Sequence, residues 1–224
     1  MGKVYEDSLF YGIAENLTDE QKLFIDATQS HDVIFCNAKP GTGKTLLSVA
    51  IAKYLVECKD NPYTSATYIF APVQEKSMGN RPGTQLEKEQ AYIQPLRDAL
   101  IKLNELPNLA IITEDPLEKR SRSSWIYPTS HTFKRGCNLE STIVIIDEAQ
   151  NFTLLELKKL FTRVNIESCK VLVMGHSGQC DLSNTRLSGF EPYLSHFSGD
   201  SRVAFIELTQ GFRGWFADKA DELY

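Results

Sequence analysis

"NAKPGTGKTLLSVAIAKYL", residues 37–55, is the stretch on which the fold turns. Within it Ala38-x-x-x-x-Gly43-Lys44-Thr45 follows the pattern of a phosphate-cradling loop, with Ala38 where a glycine is usual. The loop is preceded by a short apolar run, "DVIFCN" (residues 32–37). It is followed by Leu46, Leu47, Val49, Ala50, Ile51, Tyr54 and Leu55, which recur with a helical period. Strand, glycine loop and helix in that order are the context such a loop requires.

Working outward, further apolar runs alternate with helical patterns. "TSATYIFAPV" (64–73), "LAIIT" (109–113), "STIVIIDEA" (141–149), "KVLVMGH" (170–176) and "VAFIEL" (203–208) read as strands, the last closing the sheet, and "WIYPTSHTF" (125–133) reads as a strand and then a turn. Helices are expected at "LEKEQAYIQPLRDALIKLNEL", kinked or split at Pro95, around Leu154–Phe161, and at the terminal "RGWFADKADELY". Strands apolar on both faces and separated by helices specify an α/β fold with a mostly parallel sheet covered on both sides. We expect one domain over residues 1–224, with a less regular insertion at about 75–135.

Composition bounds the function classes. The 224 residues are 42% hydrophobic and 24% charged, enough for one substantial core. A formal net charge of −5 argues against indiscriminate binding to nucleic acid or membrane, so any nucleic-acid contact needs a local basic patch. No apolar run is long enough to span a bilayer, and "MGKVYEDSLF" lacks the apolar core of a signal peptide. Five scattered cysteines without a CxxC pair fit reduced thiols and a cytoplasmic location rather than zinc.

The loop carries its own chemistry. Successive backbone N–H groups at a helix N-terminus cradle phosphate oxygens, and Gly41 and Gly43 let that backbone bend. Pro40, Gly41, Thr42 and Gly43 form the cradle. Lys44 reaches the β- and γ-phosphates, and the Thr45 hydroxyl is a ligand for Mg²⁺. The second half of such a site belongs at the end of another strand. "TIVIIDEAQN" supplies Asp147 for the metal and Glu148 to orient and deprotonate an attacking water. Gln179, in "GHSGQCDL", is a candidate γ-phosphate sensor or else a polar loop residue. Gln21, in "NLTDEQKLF", can address an adenine edge, or it is the exposed fourth residue of a helix capped by Thr18. Arg163 in "LFTRV" and Arg213 in "GFRGW" are candidates for the arginine that neutralises the leaving phosphates, one of them from a neighbouring subunit. Surface salt bridges are their alternative role.

"GTGKT", "SMGNRPGTQLEKEQAYIQPLRDAL", "FKRG", "IVIIDEAQN", "LFTRV" and "GQCDL…SGF" occur in the order seen in PhoH-like proteins. The chain resembles that family, the phosphate-starvation-inducible ATPases, over roughly residues 17–213. The resemblance implies an ATPase core related to superfamily 1 helicases, assembly into a ring of six, and ATP-driven handling of single-stranded RNA. It also implies the compact single-domain form, without the nuclease domain of some longer relatives. Two positions depart from the family pattern: Ala38, and His176 where an aspartate is usual. Lys76, Arg81, Lys134 and Arg135 lie in loops that follow strands, and Phe133 can stack on a base, so these are the nucleic-acid candidates. Subunit contacts or nucleotide sensing are the alternative for Arg81 and Arg135. Water activation by the Asp-Glu pair favours hydrolysis over a kinase, which needs an acceptor pocket, and over a nucleotide-controlled assembly switch.

Overall fold

The computed structural model describes residues 9–58, 60–72, 92–112, 123–130 and 138–221. Among them, six parallel strands form one sheet in the order β3-β2-β4-β5-β1-β6. The strands are β1 (Val33–Ala38), β2 (Ser65–Phe70), β3 (Ile126–Ser130), β4 (Thr142–Ile146), β5 (Lys170–Gly175) and β6 (Val203–Leu208). The helices are α1 (Asp19–Ser30), α2 (Lys44–Glu57), α3 (Gln94–Lys102), α4 (Pro107–Ala110), α5 (Leu154–Phe161), α6 (Phe190–His196) and α7 (Trp215–Asp221).

The continuous apolar runs are explained by two cores, one on each face. Successive side chains of a strand point to opposite faces. Ile34 and Cys36 of β1, Ile143 and Ile145 of β4, and Leu172 and Met174 of β5 therefore join one core with Phe24 of α1, Leu47 and Ile51 of α2 and Leu96 of α3. Phe35, Val144, Ile146, Val171 and Val173 turn the other way and pack with Leu157 and Leu160 of α5 and Phe190 of α6. Each large side chain fully withdrawn from water contributes about 1.5–3 kcal/mol before entropy is counted. The faces are sealed by good helix starts. Thr18 and Thr153 each form reciprocal capping boxes, with Gln21 and Glu156 respectively.

Two regions differ from the sequence expectation. "LAIIT" is not a strand: Pro107 opens the short helix α4, and Ile111 makes only an isolated bridge to Ile126. Proline suits a first helical position, and its fixed φ decides this turn against extension. Within the stretch read as an insertion, α3 packs on α2 and β3 is an edge strand of the main sheet. Pro95 sits in the first turn of α3. Residues 73–91, 113–122 and 131–137 lie outside the described residues.

Candidate functional site

All the strands run the same way, so the loops after β1, β4 and β5 gather at one end of the sheet, with β5 between β1 and β4. The loop after β1 turns at Gly41 (φ +79°) and Gly43 (φ +82°), both in the left-handed region. Ala38 is not part of that turn. It is the fully buried last residue of β1, in register with Leu208, and its methyl group is accommodated as ordinary strand packing. Gly41 is also closely covered, since a Cβ there would lie 2.7 Å from Cγ of Arg213. We predict that Gly41→Ala lowers stability by about 1–3 kcal/mol through the positive φ. Displacing Arg213 should also weaken nucleotide binding by about tenfold, or 1.4 kcal/mol. Urea denaturation and calorimetric titration measure the two effects separately.

The two motifs meet. Lys44 opens α2, and its Nζ lies 2.9 Å from Oε1 of Glu148. The Thr45 hydroxyl donates to Oδ2 of Asp147 at 2.8 Å. Asp147 is 2% exposed, and its Oδ2 also accepts a 2.7 Å hydrogen bond from the hydroxyl of Tyr68. Burial and the adjacent Glu148 charge push the Asp147 carboxyl up, against the pull of Lys44, Tyr68 and Thr45. Burial also raises Glu148, but Lys44, Gln150 and His176 outweigh it and hold that carboxyl below the ordinary range. Glu148 itself has a left-handed backbone (φ 51°, ψ 47°), a costly conformation for a residue with a side chain.

The set suits the expected ligands. Thr45 and Asp147 are hard oxygen donors, as Mg²⁺ prefers, and this ion keeps waters and phosphate oxygens in its remaining positions. Among the described residues no three His, Cys, Asp or Glu side chains gather as a metal group.

The other sequence candidates fall into three groups. Gln21 is 6% exposed, which corrects the exposed-residue alternative. Its amide oxygen accepts from the backbone N–H of Thr18, and its amide nitrogen donates to the carbonyl of Thr42. The group offered to an adenine edge thus braces the phosphate loop. Thr42 is buried and donates its hydroxyl to the carbonyl of Lys39, and Pro40 is half-buried beside it. Arg213 lies over the loop of its own chain, where the N–H of Phe212 donates to the carbonyl of Gly41. Arg163 does not. Its carbonyl accepts from Leu139, just before β4, at the end of the sheet opposite Asp147, so it cannot serve its own chain's phosphates. Gln179 is exposed in the turn after β5, on the site's side of the sheet, and its N–H donates to the carbonyl of His176. Lys76, Arg81, Phe133, Lys134 and Arg135 lie outside the described residues.

Tyr68 and Gln150 are site residues that the sequence reading missed. A hydroxyl-bearing aromatic inside the apolar run of β2 was the available signal for Tyr68, because a buried phenol needs a partner. Tyr68→Phe is expected to cost about 1.5–3 kcal/mol in urea denaturation, since it removes a buried hydrogen bond to a carboxylate.

Comparison with known proteins agrees with this fold. The family described as PhoH-like protein matches residues 14–213. A PhoH-like protein of Synechocystis is 33% identical over 195 residues, covering 86% of this chain and 56% of that protein. One of Bacillus subtilis is 30% identical over 192 residues, covering 85% of this chain and 56% of that protein. The chain thus spans about half the length of the curated relatives it matches. Among solved structures, the large terminase of the thermophilic bacteriophage D6E superposes with a TM-score of 0.58 at 12% identity, over 92% of this chain and 50% of that one. The same terminase in complex with ADP gives 0.53 at 11% identity, over 86% and 45%. The helicase domain of Pyrococcus furiosus Hef gives 0.50 at 11% identity, over 88% and 39%. At such identities the likeness is one of fold, that of P-loop ATPase and helicase cores.

Proposed function

We propose, from the premise that this chain belongs to the PhoH-like protein family, that it is a Mg²⁺-dependent ATPase whose turnover is coupled to single-stranded RNA. One observation carries the hydrolase reading. A lysine and a hydroxyl at the start of α2 meet an Asp-Glu pair at the end of β4, two strands away, in the geometry of a triphosphate site. Gly41 and Gly43 turn the backbone N–H groups of the loop toward the phosphates. Lys44 leaves Glu148 for the β- and γ-phosphates, whose negative charge is the greater. Glu148, released by Lys44 and still held by the Gln150 amide, is then placed to take a proton from water. Thr45 and Asp147 would hold Mg²⁺, which would supply charge neutralisation on the phosphate oxygens. Arg213, lying over the loop of its own chain, adds positive charge as the γ-phosphate leaves.

The remaining parts of the reading rest on family membership. They are a ring of six, an RNA channel built from Lys76, Arg81, Phe133, Lys134 and Arg135, and Arg163 acting on the neighbouring subunit. The position of Arg163 at the far end of the sheet is compatible only with that intermolecular role or with a surface one. Among the described residues, no helix is long and apolar enough to cross a membrane. Cys36, Cys58, Cys169 and Cys180 are free thiols, which fits the cytoplasm. The test is steady-state ATP hydrolysis by the purified chain, with and without single-stranded RNA. Turnover that rises with RNA supports the whole reading. Turnover indifferent to RNA removes the RNA partner, and nucleotide binding without turnover removes the hydrolase.

A further inference from the structure

We propose that Gln150 is a positioning residue that holds the Glu148 carboxylate for water activation and ties it to the end of β5; this rests on the hydrolase reading above. Gln150 is 3% exposed, and both ends of its amide are used. Nε2 donates to Oε2 of Glu148 at 2.6 Å, and Oε1 accepts from the backbone N–H of His176 at 3.0 Å. The Gln150 carbonyl accepts from the thiol of Cys180 at 3.2 Å. One short 3-10 turn, Ala149–Asn151, thus joins the general base to the segment 176–180, which carries Gln179.

The inference follows from what remains when a nucleotide binds. Without one, Glu148 is held at Oε1 by Lys44 and at Oε2 by Gln150. Lys44 is needed by the phosphates, so Gln150 is the restraint that stays. The base hangs from a left-handed residue, a strained conformation that its surrounding contacts must hold. A catalytic carboxylate must sit within hydrogen-bond reach of its water, and small misplacement costs rate steeply. Gln150 also walls a cavity of about 320 Å³ with Ser177, Cys180, Arg186, Ser188 and Phe190. A displacement of segment 176–180 therefore reaches Glu148 through a single side chain.

The test is Gln150→Met, which keeps the volume and removes both hydrogen bonds. We expect kcat to fall by about 10- to 100-fold, part of the 10²–10⁴ that general-base catalysis supplies. The affinity for a non-hydrolysable ATP analogue should stay within about twofold, because no phosphate or metal contact is lost. A merely structural role would lower the urea midpoint and analogue affinity and leave kcat of the folded fraction intact. A folded Met variant with wild-type kcat overturns the proposal, as does a parallel fall in kcat and analogue affinity. Should the Met variant not fold, Gln150→Asn decides: one methylene shorter, it cannot reach both partners and is expected to lose kcat likewise. Wild-type protein that binds ATP without turning it over rejects the hydrolase reading itself. Wild-type turnover matched by the variants rejects the role of Gln150 alone.

Discussion

Lys44→Ala should abolish measurable ATP binding at micromolar protein and lower turnover by about two to three orders of magnitude. Two losses add. The phosphates lose the one cation that opens α2, and Glu148 loses the partner 2.9 Å away that keeps its charge compensated. Stability should change little by comparison, by about 1 kcal/mol, because the Glu148 side chain is 46% exposed and water screens the pair. Calorimetric titration with ATP, beside a urea melt of the same sample, separates lost binding from lost folding. Wild-type affinity in a folded Lys44→Ala protein would mean that the phosphates sit elsewhere.

Glu148→Gln should give the opposite dissociation of properties. The amide keeps the size and can still accept from Lys44, but it cannot take a proton from water. Turnover is expected to fall by about 10²- to 10⁴-fold. ATP affinity should hold or rise, because the ion pair that competes with the phosphates for Lys44 is gone. Single-turnover hydrolysis and equilibrium titration on the same variant check both halves. If the variant turns over normally, another group activates the water. If its affinity drops sharply, Glu148 is binding rather than catalytic.

Much of this was legible in the chain because its decisive signals are local. The glycines at 41 and 43 and the apolar runs ending in Asn37 and Asp147 state their conformations through neighbours in sequence. The strand at "LAIIT" was misread because an apolar run has no period of its own, and Pro107 decided the outcome from outside it. Gln21 could be read as an adenine contact or as an exposed helix residue; its amide instead meets the carbonyl of Thr42, which only the folded loop brings near. Tyr68 and Gln150 were missed for the same reason, since their partners lie across strands or beyond a turn. The placement of Arg213 beside Gly41, and of Arg163 near the opposite end of the sheet, depends on which end each loop occupies, and local pattern does not encode that.

The strand order has a consequence for how the chain must be made. β2, β3 and β4 are contiguous in the sheet and can pair as soon as they leave the ribosome. β1 cannot. Its partners are residues 171–175 and 203–208, so the strand that carries the phosphate loop waits with Ile34 and Phe35 unburied until β5 and β6 have been made. During that interval its apolar side chains are open to chaperones and to aggregation. Nucleotide competence must then wait until β5 and β6 have been made.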